Sequence, residues 1–136
     1  MRVEVRAAVF VDGRLVVTEE TRQGRPHSAL PGGRVNRWES VHEALVREVR
    51  EETGLVVEPG RLLYVAEVVE PYKVQDVNLV FLASVTGHDG QAAYGLVDPA
   101  RADGILPPVL ADIARDAQTD WRDTPRWLGN LWVSSP

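Results

Sequence analysis

Hydrophobic residues alternate with polar ones at the start of the chain. In VEVRAAVFV the odd positions from Val3 to Val11 are hydrophobic, while Arg6 and its charged neighbours fall between them. This period is typical of a β-strand with one buried face. Asp12 and Gly13 then predict a turn into a second strand at RLVVTE. The polar segment TRQGRPHS after it predicts a loop.

The rest of the chain continues this mixture of strands and helices. RLLYVAEVVE and VNLVFLASV predict strands, and the second is hydrophobic on both faces, which indicates a central position in the sheet. LPPVLADIARDAQ predicts a helix with proline near its start. The tail DWRDTPRWLGNLWV carries three of the four tryptophans and indicates core or interface material. Repeats, low-complexity segments and composition breaks are lacking, so we expect one domain over residues 1–136.

One helix can be placed closely, from about Val41 to Thr53. Ser40 and Glu43 have the spacing of a capping box, with Ser40 as the N-cap. Gly54 stands where a helix usually ends in a left-handed residue. At about 100° per residue, the hydrophobic residues of this helix share one face. They are Val41, Ala44, Leu45 and Val49.

Several glutamates fall on the same side of this helix. Glu48 and Glu52 lie within the inward sector, and Glu51 lies on its edge. Glutamates four residues apart repel each other by roughly 0.2–0.5 kcal/mol. Carboxylates that face a core must be paired, protonated or bound to a cation. A solvated face with ion pairs would explain Glu43, Arg47 and Glu51, but it does not explain the two inward glutamates.

Oxygen ligands gathered in this way indicate a hard divalent cation. Magnesium is the usual ion where phosphates share the coordination sphere. The spacing therefore predicts a metal site at the carboxyl-terminal half of the helix.

Composition and charge narrow the classes of function. The 136 residues are 44% hydrophobic and 26% charged, which suits a globular domain with a core. The absence of cysteine excludes disulfides, thiolate metal sites and a thiol nucleophile. A net charge of −5 disfavours nucleic acid as a partner. The amino terminus lacks the apolar core of a signal peptide, and the longest apolar run is too short for a bilayer, so we expect a cytoplasmic protein with no membrane partner.

The helix lies within a longer motif. From Gly33 to Leu55, GRVNRWESVHEALVREVREETGL resembles the Nudix box, G-x5-E-x7-R-E-U-x-E-E-x-G-U, in which U is a bulky aliphatic residue. All nine defined positions match: Gly33, Glu39, Arg47, Glu48, Val49, Glu51, Glu52, Gly54 and Leu55. The chain is thus similar to the Nudix hydrolases. The resemblance implies their α/β/α sandwich with a mixed central sheet.

The resemblance also implies a reaction. Members of the family hydrolyse a nucleoside diphosphate linked to another moiety, so we expect a small nucleotide substrate that is ADP-ribose-like or a dinucleotide. Glu48, Glu51 and Glu52 would be metal ligands, and one of them would assist the attacking water. The carbonyl of Gly32 would add a ligand. Mg²⁺ would be the cofactor, with Mn²⁺ as a substitute.

Other residues of the box have supporting roles in the family. Arg47 would orient the catalytic glutamates, and Glu39 would brace the loop before the helix. Gly33 and Gly54 would be structural positions. The family often has glycine where this chain has Trp38, so the loop must be shaped differently here. The family also often supplies a later acid, for which Asp76, Asp89 and Asp98 are candidates.

Two other functions stay open. A nucleoside triphosphate pyrophosphatase would use the same box, and a non-catalytic nucleotide-binding or regulatory module would keep the fold without the chemistry. The three converging carboxylates argue against the module. A homodimer is the expected assembly.

The choice of substrate is less defined. Pro71 and Tyr72 follow the box by 16 and 17 residues. In the family, proline near there is associated with ADP-ribose and tyrosine with dinucleoside polyphosphates, so the two signals disagree. Arg22, Arg25 and Tyr72 are the candidate substrate-binding residues. We expect the turn at EPYK to flank the end of the catalytic helix, and the alternative is an ordinary turn between two strands.

Overall fold

The computed structural model describes residues 1–22 and 24–132, and in that part of the chain it has eight strands and two helices. The loop predicted at TRQGRPHS and the tryptophan-rich tail extend to Gln23 and Val133, which lie outside the described residues. In chain order the elements are β1 (Arg2–Val11), β2 (Arg14–Arg22), β3 (Arg25–Ala29), β4 (Gly32–Arg34), α1 (Val41–Thr53), β5 (Leu55–Glu70), β6 (Val74–His88), β7 (Gly95–Val97), α2 (Leu110–Ala117) and β8 (Arg126–Asn130).

The strands form a mixed sheet in the order β3-β2-β1-β6-β5-β8, with β4 paired to β1 and β7 paired to β2. The β1–β6 and β5–β8 pairs are parallel, and the other pairs are antiparallel. β6 lies between β1 and β5, which confirms the central position predicted from its hydrophobic faces. In the described part of the chain, the helices are too short or too polar to cross a membrane.

Helix α1 begins and ends where the sequence predicts. The Ser40 hydroxyl accepts a hydrogen bond from the Glu43 N–H at 3.1 Å, and Gly54 follows the helix at φ 75°. The Gly54 N–H donates to the Arg50 carbonyl at 2.9 Å. Ala44, Leu45 and Val49 are fully buried under this helix, as its hydrophobic stripe requires.

The N-cap gives a first testable prediction. Ser40→Ala should lower the free energy of unfolding by about 1 kcal/mol, because the Glu43 N–H loses its side-chain acceptor. Urea denaturation measures this loss, and turnover of the same variant should stay near the wild-type value. An unchanged denaturation midpoint would show that the cap contributes nothing.

The sheet is covered on both faces, which completes the α/β/α sandwich. One core lies between α1 and the sheet and contains Val5, Ala7 and Val9 of β1. The other contains Ala8 together with residues of α2. The prediction that β1 has only one buried face is therefore wrong, since Arg6 on its other face is only 2% exposed. The second face of β1 is covered, and single-strand periodicity does not reveal this.

Two further expectations need correction. The segment TRQGRPHS is a hairpin rather than a loop, because β2 runs to Arg22 and pairs with β3 from Arg25 onward. A polar hairpin of this kind lacks the hydrophobic alternation that predicts strands. Helix α2 begins at Leu110, after both prolines rather than around them.

The tail tryptophans divide among three environments. Trp121 is buried in the core beneath α2, and Trp127 on β8 is 61% exposed. Trp132 lines a cavity. Of these three tryptophans, Trp121 therefore confirms the expectation that the tail contributes to the core.

Candidate active site

Helix α1 places two of the box glutamates against the glycine pair of β4. The Gly32 N–H donates to the Glu52 carboxylate at 3.1 Å. A Cβ atom on Gly33 would lie 2.8 Å from the carboxyl carbon of Glu48. The Glu48 carboxylate can therefore approach the backbone of β4 closely only because residue 33 has no side chain.

Arg47 connects the helix to the loop before it. Its Nε and Nη2 donate to the Glu39 carboxylate at 2.7 and 2.9 Å, and Nη2 also donates to the Arg34 carbonyl. Its Nη1 donates to Glu48 at 3.0 Å and to Glu51 at 3.4 Å. The hydrogen bonds from this guanidinium, with one from the Asn36 N–H, lower the pKa of Glu39 to about 2. The contacts are those that an orienting arginine and a loop-bracing glutamate would make.

The loop before α1 contains a strained tryptophan. Residues 36–39 form a tight turn in which the Glu39 N–H donates to the Asn36 carbonyl at 3.1 Å. Trp38 occupies the third position of this turn at φ 67°, where glycine or asparagine is favoured. The side chain is 90% exposed, so burial does not offset the strain. The Arg37 guanidinium lies 5.2 Å from its ring centroid.

Replacement of Trp38 should therefore not destabilise the protein. A bulky residue in the left-handed region costs about 1–2 kcal/mol, whereas glycine costs roughly 0.5–1 kcal/mol in backbone entropy. Trp38→Gly should be at least as stable as the wild type in thermal denaturation. Arg37→Gly in the same turn is the matched control and should be less stable than the wild type. Equal losses of thermal stability in both variants would show that Trp38 is not strained.

Glu52 is half-buried between α1 and the strands β2 and β4. Its carboxylate accepts from Gly32 and lies 3.5 Å from the Thr18 hydroxyl, which donates to it. Burial raises the pKa of Glu52 to about 7; the Gly32 N–H opposes this rise, and the nearby Glu48 carboxylate adds to it. A neighbouring cation would stabilise the charged form of a carboxylate in this position, because it would offset the hydration that the carboxylate has lost.

The site fits a hard cation with two of its three predicted carboxylates. Glu48 and Glu52 come together beside Gly32, and carboxylate and backbone oxygens are the donors that magnesium prefers. The Glu51 side chain is 60% exposed and lies on Arg47 instead. Among residues 1–22 and 24–132, no three histidine or acidic side chains are close enough to form a complete metal cluster.

The later acids predicted as additional ligands have other partners. Arg2 donates to both carboxylate oxygens of Asp76, at 2.9 and 3.2 Å. Asp89 lies 3.8 Å from Arg50. Asp98 accepts from the Ala100 N–H within its own turn.

The turn that contains Tyr72 lies elsewhere than predicted. The β5–β6 ladder begins at Leu55 opposite His88 and ends at Glu70 opposite Val74. The end of α1 is instead flanked by residues 89–93, where the Asp89 N–H donates to the Gly54 carbonyl at 2.7 Å. The expectation that EPYK flanks the catalytic helix is therefore wrong, because β5 extends the chain away from it.

The other two candidate substrate-binding residues face each other at one hairpin. Arg22 and Arg25 are register partners at the end of the β2–β3 pair. Arg22 lines a cavity and contacts Glu20 at 3.4 Å, while Arg25 is exposed.

Two cavities lie near the candidate site, and Arg22 lines the first of them. The first, which we name the polar cavity, has a volume of about 200 Å³. Its lining includes Glu4, Arg6, Arg22, Asp76, Asn78 and Trp132. The second, which we name the hydroxyl-lined cavity, has a volume of about 480 Å³. Its lining includes Thr18, Glu19, Ser28, Glu52 and Tyr94.

Sequence reasoning missed several of the residues around this site. Arg6 is buried between Glu4 and Glu20 and donates to the Leu30 carbonyl, while its Nε has no hydrogen-bond partner. Asn78 is only 4% exposed although it belongs to a strand that reads as hydrophobic. Arginine and asparagine at buried strand positions are the signals that could have indicated a polar cavity.

The same architecture occurs in known proteins. The NUDIX domain model matches residues 1–121, most of the chain. The chain therefore belongs to the NUDIX family, as its motif predicts.

Proteins that are similar to this chain in sequence are named for different activities. An ADP-ribose pyrophosphatase from Methanocaldococcus jannaschii is 31% identical over 135 residues, which cover 93% of this chain and 78% of that protein. The 8-oxo-dGDP phosphatase NUDT18 of Homo sapiens is 43% identical over 83 residues, or 59% of this chain. That match spans only about a quarter of the length of NUDT18.

Solved structures share the fold. The crystal structure of MutT NUDIX hydrolase from Burkholderia pseudomallei superposes with a TM-score of 0.69 and 26% identity. The match covers 84% of this chain and 95% of the other.

Proposed function

We infer that this chain is a magnesium-dependent hydrolase that cleaves the pyrophosphate bond of a nucleoside diphosphate linked to another moiety. The observation that carries this inference is the placement of Glu52. Its carboxylate is half-buried near Glu48 and accepts a hydrogen bond from the Gly32 N–H, at the point where the family motif predicts the metal. Such a pair is unfavourable in a helix with only a structural role, because two neighbouring carboxylates repel each other.

The residues of the site have complementary tasks in this proposal. Glu48 and Glu52, with backbone oxygen from the glycine pair, would hold the ion, and Mn²⁺ would substitute for Mg²⁺. When bound, the ion supplies charge neutralisation at the phosphate oxygens. Arg47 keeps Glu48 in place through the hydrogen bond at 3.0 Å. One of the glutamates would also assist the attacking water, as in the family.

The polar cavity is a suitable place for the nucleoside. Arg6 lines it, and Arg6 is the register partner of Gly32, so the cavity lies beside the candidate metal site. The amide of Asn78 offers a hydrogen-bond donor and an acceptor to a heterocyclic base. Leu131, Trp132 and Pro107 supply hydrophobic walls for a flat ring.

The names of the relatives support the same class of substrate. ADP-ribose and 8-oxo-dGDP both contain a nucleoside diphosphate. Nucleoside triphosphates are the second candidate substrate, since they contain the same bond. A binding module without catalysis is the candidate from another class.

A substrate screen tests the proposal. The purified chain would be incubated with ADP-ribose, dinucleoside polyphosphates and nucleoside triphosphates, with magnesium or with EDTA, and the products separated by chromatography. We expect magnesium-dependent release of a nucleoside monophosphate and a phosphorylated second moiety. Binding of these nucleotides without any hydrolysis would support the non-catalytic module instead.

A further inference from the structure

Arg6 is an arginine in the interior of the protein. It belongs to β1, its side chain is only 3% exposed, and its register partner on β4 is Gly32. A buried arginine is rare, because its charge loses hydration and must be paired with other groups. Hydrophobic residues often replace such buried ion pairs without loss of stability. Packing alone therefore does not explain an arginine at this position.

The guanidinium of Arg6 joins β1 to two other segments of the chain. Its Nη1 donates to the Leu30 carbonyl at 2.9 Å and to the Glu20 carboxylate of β2. Its Nη2 donates to Glu4 on its own strand at 3.2 Å. Its Nε is buried, so a ligand cannot reach it. The guanidinium is therefore occupied by groups of the protein rather than open to a substrate.

The two segments that this guanidinium contacts are the ones that hold Glu52. Leu30 lies two residues before Gly32, whose N–H donates to the Glu52 carboxylate at 3.1 Å. Glu20 lies two residues after Thr18 on β2, and residues two apart on a strand point to the same side. The Thr18 hydroxyl donates to Glu52 at 3.5 Å. One side chain thus connects both of these donors to β1.

These two hydrogen bonds define the orientation of the Glu52 carboxylate. Both the Gly32 N–H and the Thr18 hydroxyl donate to Oε2, which leaves Oε1 available to a cation. The terminal torsion of a glutamate has only a broad intrinsic preference, so the carboxylate depends on its partners for a fixed direction. The two donors provide that direction only if the segments that carry them are themselves fixed.

We propose that Arg6 is a positioning residue for the cation site, and that it orients the Glu52 carboxylate by fixing the two segments that carry its hydrogen-bond donors. The proposal rests on the proposed function, because it assumes a divalent cation at Glu48 and Glu52. Arg6 acts through these segments and contacts neither the cation nor the substrate. Loss of a group that orients a metal ligand typically lowers metal affinity by roughly 10–100-fold.

The sign of the effect distinguishes positioning from charge. Arg6 carries a positive charge close to the site, so by Coulomb repulsion alone its removal would strengthen the binding of a divalent cation. Loss of positioning would weaken the binding instead. Arg6→Lys keeps the charge, but an ammonium lacks the planar fork of donors with which arginine holds several acceptors at once. This variant therefore isolates geometry from charge.

The test is a titration of the full chain with Mn²⁺ in the absence of nucleotide, in which electron paramagnetic resonance measures the free ion. The variants are Arg6→Lys and Arg6→Met, and circular dichroism checks that each is folded. Arg2→Met is the matched control. Arg2 is also an arginine of β1 that binds a carboxylate, but its partner Asp76 belongs to β6 and not to a segment that holds Glu52.

Arg6→Met should weaken Mn²⁺ binding about tenfold or more, and Arg6→Lys should weaken it in the same direction by a smaller factor. Arg2→Met should leave the affinity unchanged, because the charge of a partly exposed side chain is screened. Arg6→Lys should fold, since Glu4 and Glu20 keep a cation between them. Wild-type or tighter Mn²⁺ affinity in Arg6→Lys overturns the proposal, even if the variant melts at a lower temperature. If neither variant folds, Arg6 is a folding residue and the proposal is overturned as well.

Failure of the proposed function gives a different result. If the wild type binds Mn²⁺ but hydrolyses no nucleotide, the proposed function is wrong, and the Mn²⁺ affinities of the Arg6 variants still decide this proposal. A wild type that binds no Mn²⁺ overturns the proposed cation site and this proposal together. Variants that bind Mn²⁺ as tightly as an active wild type overturn this proposal alone.

Discussion

Glu52→Gln should reduce kcat by about 100-fold or more while the protein stays folded. The substitution keeps the shape of the side chain but removes its charge, so Glu52 can no longer share a cation with Glu48 or accept a proton. A positioned acid or base contributes roughly 10²–10⁴-fold to a rate. Steady-state kinetics with magnesium measures the loss, and circular dichroism checks the fold.

The same helix offers a matched control. Glu43→Gln changes an exposed glutamate in the first turn of α1, and its turnover should stay close to that of the wild type. Near-normal turnover in Glu52→Gln would remove Glu52 from the catalytic site. Equal losses in both variants would indicate a general effect of charge on the helix.

The difference in stability between metal-free Glu52→Gln and the wild type should depend on pH. The pKa of Glu52 is about 7 in the folded chain against an ordinary value of 4.5. Between these pH values the folded state holds a proton that the unfolded state releases, so wild-type stability falls as pH rises through this window. At about 1.4 kcal/mol per pKa unit, about 3 kcal/mol is the upper bound of this loss above pH 7, and the loss is smaller because solvent screens a half-buried carboxylate. In EDTA, Glu52→Gln should thus melt above the wild type at pH 8 but not at pH 4.5.

Gly32→Ala should destabilise the fold by about 3 kcal/mol or more. Its φ of 150° is one that residues with side chains rarely adopt, and strain of this kind costs roughly 1–3 kcal/mol. The added Cβ would also lie 2.0 Å from the Val5 carbonyl oxygen and 2.8 Å from the Arg6 Cα. Because these are backbone atoms of a central strand, β1 and β4 would have to separate. Urea denaturation measures the effect.

Two other glycines serve as controls. Gly13→Ala has a left-handed φ of 76° but no atom within 4 Å of the new Cβ, so it should cost only about 1 kcal/mol. In Gly33→Ala the Cβ would meet the movable Glu48 carboxylate at 2.8 Å. This variant should fold but bind magnesium more weakly, as calorimetry would show. Similar stability for Gly32→Ala and Gly13→Ala would mean that β4 does not pack against β1 as described.

Local signals were sufficient to predict helix α1. Ser40, Glu43 and Gly54 define its ends through hydrogen bonds that span only a few residues. The inward direction of Glu48 and Glu52 follows from helical periodicity alone. The family could be recognised for the same reason, because its motif is one unbroken stretch of sequence that contains this helix.

Tyr72 shows where local reasoning fails. Its distance in sequence from the box is short, yet the length of β5 carries it to the far end of the β5–β6 ladder. The number of residues between two positions does not give their distance in space, because a strand extends the chain by about 3.3 Å per residue. The position of a turn therefore depends on where the strands before it begin and end.

The sequence by itself determined the elements whose causes are local: the main strands, the bounds of α1, and the carboxylates that this helix turns inward. The tertiary structure decided which residues surround those carboxylates. Arg6 and Thr18 reach the site from β1 and β2, through strand pairing and packing. Burial and the low dielectric of such surroundings raise the pKa of Glu52, and they depend on contacts between residues far apart in the chain. Periodicity reports which side of a strand faces inward, but only the assembled sheet shows that both sides of β1 are covered.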